Sequence, residues 1–291
     1  MSKVSPAANM EAEVCRSCGS SFRGNFCNVC GEKRFVERDK TMRHFFDETF
    51  HFLTHFDSKF LRSLWLVLSK PGFVSAEVTN GARKRYFKPL NLFLIGVVLY
   101  LLFPFFQGLN MPLRGHLNEL YKEFTAWLIR QKMASQHIDF EEIARRFDSK
   151  SPKFAKVLLF LVIPFSALGL KALFPKRKKY FFDHMMLAAE LNTFYLYFVF
   201  FIIPGFFMAL MAYCYAWGVF IPDGGFGLDD GVTLPGYLVC FVTYAALAFI
   251  RFYGAGKTAA IFKAILFMLM HMTIVYLIYR VILLAVIFLF I

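Results

Sequence analysis

A succession of long apolar stretches after Pro89 limits the possible fold of this chain more than any other feature. A helix needs about 20 mostly apolar residues to cross the roughly 30 Å of hydrocarbon in a bilayer. Hydrophobic residues make up 58% of the chain, whereas soluble domains contain about 45–50% apolar residues. We therefore predict an all-α integral membrane bundle. Its five transmembrane helices are expected at residues 90–107, 154–174, 190–214, 232–252 and 264–288.

Loop charge predicts the orientation of these helices. Basic residues cluster in 83–88, in 176–179 and in 251–263, whereas the loop at 222–231 is acidic and rich in glycine. Basic loops are retained on the cytoplasmic side of a membrane, so the N-terminus is expected in the cytoplasm and the C-terminus outside it. The same rule accounts for the net charge of +13. The lipid bilayer is therefore the expected partner, and nucleic acid is not favoured.

Two stretches leave the topology partly open. Residues 187–217 are longer than one crossing and are interrupted at Pro204-Gly205, so they form either one long kinked helix or a hairpin of two short helices. A hairpin would place the basic loop after the fourth helix outside, and a single helix is therefore preferred. The extracytoplasmic loop 108–153 contains an amphipathic pattern over 117–133, which lies on the outer membrane surface or caps the bundle.

Two Cys-x-x-Cys pairs lie near the N-terminus. Cys15 and Cys18 form the first pair, Cys27 and Cys30 form the second, and a glycine follows each pair. Residues 1–40 contain no apolar run long enough for a secretory signal, so we expect these thiols in the reducing cytoplasm, where they bind metal rather than form disulfides. The spacing predicts a zinc ribbon with a structural Zn²⁺. Iron in the same site and a redox dithiol are the alternatives.

Nothing in the sequence indicates an active site. Four protein ligands leave no open coordination position on zinc, which argues against catalysis there. The segment Gly254-Ala-Gly-Lys-Thr258 resembles the end of a phosphate-binding loop, but Arg251 stands where the first glycine is required and no strand precedes it. We therefore predict a non-enzymatic protein with no catalytic residues.

An amphipathic helix is predicted between the ribbon and the bundle. Residues 41–69 combine a Phe-rich apolar stripe with a charged opposite face, which suits a helix in the cytoplasmic membrane interface. On that face Glu48, His51 and His55 have a spacing that can hold a metal, but no further ligand accompanies them, and a solvated polar face is favoured. The predicted domains are the ribbon with its tail at 1–40, the interfacial helix with the basic segment at 41–89, and the bundle at 90–291.

Three short segments follow the ribbon, and they are His55-Phe-Asp-Ser-Lys-Phe60, Pro71-Gly72 and Gly81-Ala-Arg-Lys-Arg-Tyr86-Phe-Lys-Pro89. Together with the ribbon, these segments resemble a family of uncharacterised bacterial membrane proteins with an N-terminal zinc ribbon. The resemblance covers residues 15 to about 100. It implies an inner-membrane protein with a zinc site at the four ribbon cysteines, and it carries no activity or catalytic residue.

Ionisable residues inside membrane segments are costly and are therefore functional candidates. Glu190 lies near the start of the third helix and His271 about two turns into the fifth. Both fall in the cytoplasmic half of the predicted bundle, where they can meet as a proton or ion relay. Arg280 lies further along the fifth helix and can extend its guanidinium to the interface.

The predicted function is that of an adaptor or sensor whose cytoplasmic zinc ribbon docks a protein partner. This prediction rests on the closed metal site and on the lack of a catalytic constellation. The alternative is a small transporter or channel component with Glu190 and His271 on its pathway. No pattern in the sequence specifies an oligomeric state.

Overall fold

The computed structural model describes residues 12–34, 58–102, 111–177, 180–217 and 230–291. Within these ranges the chain is mostly helical, as predicted. The two strands that they contain form a small hairpin at the N-terminus, in which β1 (Glu13–Val14) pairs antiparallel with β2 (Ser21–Phe22).

Twelve α-helices follow the hairpin within the described ranges. The first half comprises α1 (Ser58–Ser69), α2 (Phe73–Thr79), α3 (Pro89–Leu102), α4 (Leu113–His116), α5 (Lys122–Gln136) and α6 (Phe140–Leu158). The second half comprises α7 (Val162–Leu173), α8 (Phe181–Tyr197), α9 (Ile203–Ala216), α10 (Asp230–Tyr253), α11 (Lys257–Met272) and α12 (Arg280–Phe290). Two π-helical turns, Phe198–Ile202 and Thr273–Tyr279, join α8 to α9 and α11 to α12.

Three helices in the described ranges are long and apolar enough to cross a membrane, and the five predicted crossings are not confirmed. The three are Phe181–Ala216, Pro235–Tyr253 and Lys257–Phe290. The stretch predicted at 154–174 is divided between two helices bent by 48°, which count as one crossing only if taken together. The apolar helix at Pro89–Tyr100 is shorter than a full span. The composition and length of these helices support membrane association.

Helix α8 forms the centre of the bundle. Every residue from Phe182 to Tyr197 is buried, and the helix contacts α2, α3 and α7. Gly96 of α3 lies close to α8, since a Cβ atom at this position would lie 2.7 Å from side-chain atoms of Leu196 and Tyr197. A larger residue at position 96 would therefore require these side chains to move.

The apolar stretch that contains Pro204-Gly205 is a continuous helix of 36 residues rather than a hairpin. Proline lacks an N–H group and its ring clashes with the carbonyl four residues earlier, which is Phe200 here. The π-helical turn Phe198–Ile202 lies at this point. A π turn shifts the hydrogen-bond register by one residue, and the helix therefore continues past the proline.

Only part of the amphipathic segment expected at 117–133 is helical, because residues 117–121 form turns. Helix α5 begins at Lys122, and its apolar residues occupy two faces rather than one. Ile129 is buried, whereas Phe124 and Trp127 stack on each other on the exposed face. The side chains of Lys132 and Gln136 donate to the carbonyl oxygen of Ile291 at 3.1 and 3.0 Å. Helix α5 therefore caps the end of α12, whose last carbonyls have no partner within their own helix.

The helix predicted over 41–69 is described only from Ser58, and Glu48, His51 and His55 lie outside the described residues. Phe60 and Val67 of α1 are buried, whereas Leu61 and Trp65 are exposed. Both α1 and α2 contact α8. The described part of the 41–89 segment therefore packs against the bundle, and its location in the cytoplasmic membrane interface stays a prediction.

His116 is expected to make the stability of the folded protein depend on pH. It is fully buried, and its Nδ1 shares a hydrogen bond of 2.9 Å with the Tyr121 hydroxyl. Burial, with the positive charge of Arg280, lowers the pKa of His116 to about 4, whereas the unfolded imidazole titrates near pH 6.5. The unfolded state therefore binds an extra proton below about pH 6.5, and stability falls toward pH 4 by up to ~1.4 kcal/mol per pH unit.

Thermal unfolding of the detergent-solubilised protein at pH 7 and pH 5 measures this effect. His116→Gln should reduce the loss of stability at pH 5. His137→Gln, at an exposed position of the same region, serves as the matched control and should leave the loss unchanged. Equal pH dependence in all three proteins would show that His116 does not contribute.

Candidate metal centre and its attachment to the bundle

The two Cys-x-x-Cys pairs form two turns with the same backbone hydrogen bonds. In the first turn, the N–H of Gly19 donates to the carbonyl of Cys15 at 2.8 Å. In the second, the N–H of Gly31 donates to the carbonyl of Cys27 at 2.7 Å. Both glycines have positive φ angles, 79° and 69°, which residues with a Cβ rarely adopt. The glycine after each pair therefore allows the turn that brings two sulfurs together.

The four sulfur atoms lie within 4.8 Å of one another. The Sγ atoms of Cys15 and Cys30 are 3.5 Å apart, and those of Cys18 and Cys27 are 3.6 Å apart. Four sulfurs about 2.3 Å from a tetrahedral ion would be about 3.8 Å apart. The structure therefore brings together all four residues predicted from the sequence, and they can bind one metal ion.

Hydrogen bonds around the turns favour the thiolate, which is the form that binds metal, at Cys18 and Cys27, whereas burial and the neighbouring cysteines raise the pKa of Cys30 to about 12. A hydrogen bond from the backbone N–H of Cys30 lowers the pKa of Cys27 to about 6. The hydroxyl of Ser20, whose Oγ is 2.7 Å from the Sγ of Cys18, lowers the pKa of that thiol as well. Cys214 and Cys240 are free thiols in α9 and α10, and they take no part in this cluster.

The ribbon is attached to the bundle through the segment between α2 and α3. The carboxyl oxygen Oε2 of Glu32 accepts the backbone N–H of Lys84 at 2.7 Å and the hydroxyl of Ser17 at 2.6 Å. The ammonium of Lys84 donates in turn to the carbonyl of Gly31, and the Arg16 guanidinium donates to the carbonyl of Asn80 at 2.5 Å. Each cysteine turn therefore has a neighbour that bonds to residues 80–84.

A second buried carboxyl group holds the other end of this segment. One oxygen of Glu190 accepts the N–H of Gly72 at 2.8 Å, and the other accepts the N–H of Ser75 at 2.7 Å. The first backbone N–H groups of a helix have no partner within the helix. Glu190 on α8 satisfies two of them at the start of α2. It is fully buried, and its position is explained by these bonds.

Helix α10 encloses the same Pro-Gly turn from the other side. The Tyr244 hydroxyl donates to the carbonyl of Val67 at 2.6 Å, and Arg251 donates to the carbonyl of Pro71. A Cβ atom on Gly72, whose φ is 73°, would lie 2.9 Å from the backbone of Ala248. Only glycine fits this turn, because both the φ angle and the close approach exclude a side chain.

The structure does not bring Glu190 and His271 together. Glu190 is bonded to the start of α2, whereas His271 lies against the rings of Tyr195, Phe241 and Phe267. Tyr195 follows Glu190 by five residues, which is about 7.5 Å along the axis of α8. A relay that passes directly between the two residues is therefore not supported.

The segment that Glu32 and Glu190 hold lies inside the part of the chain that matches a protein-family model. Residues 57–101 match the model of a family described as "Protein of unknown function (DUF3667)". No curated protein and no solved structure matches the chain. The matched residues include both the Pro-Gly turn that Glu190 holds and the segment 80–84 to which the ribbon binds.

No pattern in the sequence identifies several of the residues that attach the ribbon and α2 to the bundle. Pro71-Gly72 marks a helix end, but the pattern does not reveal that a carboxyl group over a hundred residues later binds there. Glu32 next to the second cysteine turn is the exception. A single acidic residue directly after a metal-binding turn could have been singled out as a contact of that turn.

The four cysteines are expected to bind one metal ion per chain. Replacing Cys27 with serine removes a buried ligand and should lower the metal content of the purified protein toward zero, as measured by inductively coupled plasma mass spectrometry. Cys214→Ser serves as the matched control and should retain one equivalent. Equal metal content in both variants would place the metal elsewhere.

Glu190→Gln is expected to destabilise the protein by about 1–3 kcal/mol, because the amide group of Gln cannot accept both N–H groups and leaves one buried donor without a partner. Thermal unfolding in detergent measures the effect. Glu123→Gln at an exposed position of α5 is the control and should behave like the unaltered protein. An unchanged midpoint for Glu190→Gln would show that its bonds to α2 contribute little.

Proposed function

We propose that this protein is a membrane-bound, non-enzymatic adaptor or sensor whose metal-loaded ribbon docks a protein partner and is mechanically coupled to the bundle. The observation that carries the proposal is the attachment of the ribbon to residues 80–84 through Arg16, Glu32 and Lys84. A flexible tether would not require such bonds. In this proposal the protein lies in a bacterial inner membrane, crosses it five times and keeps its ribbon in the cytoplasm.

We assign zinc as the metal on the basis of the ligand set. Four thiolates at tetrahedral distances are typical of structural zinc sites, and they leave no coordination position for a substrate. When bound, the ion joins the two cysteine turns into one rigid unit. In this proposal the metal therefore stabilises the fold of the ribbon and its docking surface, and it does not bind a substrate.

The bonds around residues 72–84 provide the coupling. Glu32 and Gly31 follow Cys30 directly, so ordering the second cysteine turn also orders the groups that hold Lys84. The segment continues back through α2 to Gly72 and Ser75, which Glu190 holds from the bundle. Loss of the metal should therefore loosen the contact with residues 80–84, and a partner on the ribbon can influence α2 in the same way.

The exposed face of the second cysteine turn is the proposed docking surface. Phe26 is 62% exposed and Val29 is 69% exposed, on either side of the buried Cys27. Two large apolar side chains on a rigid turn of this kind are suited to a small apolar pocket on a protein partner.

The transport alternative keeps His271 as its candidate but loses support from Glu190. The carboxyl oxygens of Glu190 both accept backbone N–H groups of α2, which supports a structural function for this residue. His271 has no such partner among the described residues. Transport through the bundle stays a prediction.

Hydrogen–deuterium exchange with the detergent-solubilised protein tests the coupling. Removing zinc with a chelator should increase exchange of the backbone amides in residues 72–84, because the contact of Lys84 with Glu32 is weakened. Glu32→Ala, which removes the acceptor of the Lys84 N–H, should retain zinc but show high exchange in this segment with or without the metal. Glu123→Ala is the matched control. If zinc removal leaves exchange in residues 72–84 unchanged, the ribbon is not coupled to the bundle.

The docking proposal has its own test. Proteins that co-purify with the unaltered chain are compared with those that co-purify with a Phe26→Ser and Val29→Ser variant of equal abundance and zinc content. A partner that is lost only with the variant supports docking on this face. Identical sets of co-purified proteins would contradict it without affecting the coupling result.

A further inference from the structure

The interior of the bundle contains a second polar cluster that is independent of the metal centre. Tyr195 of α8, Tyr237 of α10 and His271 of α11 come from three different helices, and they are only 4%, 6% and 0% exposed. The ring centroids of Tyr195 and Tyr237 are 5.7 Å apart, and those of Tyr195 and His271 are 4.9 Å apart. Three polar side chains therefore meet in the core of a mostly apolar bundle.

These side chains have unfilled hydrogen-bonding capacity. Among the described residues, no hydrogen bond reaches the hydroxyl of Tyr237 or either ring nitrogen of His271, whereas the hydroxyl of Tyr195 interacts with that of Tyr276. Other buried polar groups of the same helices are paired, as in the 2.7 Å contact of His184 with the Tyr253 hydroxyl. A buried polar group without a partner lowers stability, so the hydroxyl of Tyr237 and the imidazole of His271 together indicate that something else fills this site.

Both long helices are distorted at the level of the cluster. The first π-helical turn begins at Phe198, three residues after Tyr195, and the second begins at Thr273, two residues after His271. Such turns occur frequently at functional sites. The second turn carries Tyr276, which is 40% exposed and interacts electrostatically with both Tyr195 and Tyr237. A third hydroxyl group thus approaches the same space from the surface of the bundle.

We propose that Tyr195, Tyr237, Tyr276 and His271 form an intramembrane binding site for a small, neutral, hydrogen-bonding molecule, of which water is the smallest. Phenol hydroxyls and a neutral imidazole can each donate and accept hydrogen bonds, and this set offers no opposite charge to an ionic ligand.

The surroundings limit the ligand further. Phe241 stacks on the imidazole of His271 with a centroid separation of 5.0 Å, and Phe267 lies at 6.1 Å. Aromatic rings therefore line the imidazole, and they offer no charged group to a ligand. The ring of Phe194 stacks on that of Tyr244 with a centroid separation of 3.8 Å, and it lies 6.5 Å from the ring of Phe241. Phe194 therefore lies between this site and the bonded carboxyl group of Glu190. The site is thus separate from the attachment of α2.

Removal of one hydroxyl group from the full-length protein tests the proposal, because the unfolding midpoint falls only if that hydroxyl has a bonding partner. Tyr237→Phe removes one hydroxyl and keeps the ring. If the hydroxyl is bonded to a resident molecule, its removal should lower the unfolding midpoint by about 2–4 °C. If it has no partner, its removal should leave the midpoint unchanged or raise it, and the proposal would be overturned. Tyr213→Phe, at an exposed position of α9, is the control and should have no effect.

A second measurement uses water itself as the probe. Brief X-ray radiolysis in ¹⁸O-labelled water marks side chains that touch a bound water molecule, even where bulk solvent is excluded. Tyr195 and Tyr237 should be marked, and His271→Phe should reduce the marking severalfold. Tyr197 is the matched internal control, because it is 6% exposed and its hydroxyl already donates to the carbonyl of Leu92 at 3.3 Å. Marking of Tyr195 and Tyr237 no stronger than that of Tyr197 would contradict the proposal.

Discussion

The burial of the Glu190 carboxyl group against the start of α2 is the interaction on which the rest of the structure depends. A chain that turns at Pro71-Gly72 inside a bundle exposes backbone N–H groups to an interior without water, and each unpaired group is costly there. Glu190 accepts two of these groups. The turn can therefore be buried between α8 and α10, which directs α2 and the following segment toward the ribbon.

A second acidic residue continues this arrangement toward the metal centre. Glu32 accepts the backbone N–H of Lys84, much as Glu190 accepts those of Gly72 and Ser75. One segment of the backbone is therefore held at both ends by carboxyl groups, one from the ribbon and one from the centre of the bundle. Because these are directional bonds to the main chain, they fix the position of this segment relative to both the ribbon and α8.

The length of the helices shows why apolar stretches alone do not determine the number of membrane spans. A helix of 36 residues, such as Phe181–Ala216, is about 54 Å long, whereas the hydrocarbon of a bilayer is about 30 Å thick. Its first part is buried against other helices and contains Asp183, His184 and Glu190, and its last part is mostly exposed and apolar. A window of hydropathy does not distinguish burial in protein from exposure to lipid, since both favour apolar side chains.

The sequence by itself determined the features that depend on local chemistry. The spacing of Cys15, Cys18, Cys27 and Cys30, each pair followed by a glycine, was sufficient to predict a cluster that can bind a metal, because the two turns form within a few residues of backbone. The apolar stretches likewise predicted a helical bundle with membrane-crossing helices. Only the tertiary structure decided that Glu190 binds Gly72 and Ser75, that Glu32 binds Lys84 and that His271 faces Tyr195 rather than Glu190. These contacts join residues that are between 52 and 118 positions apart in the first two cases, and no periodic pattern encodes them, since they depend on how the helices pack against one another.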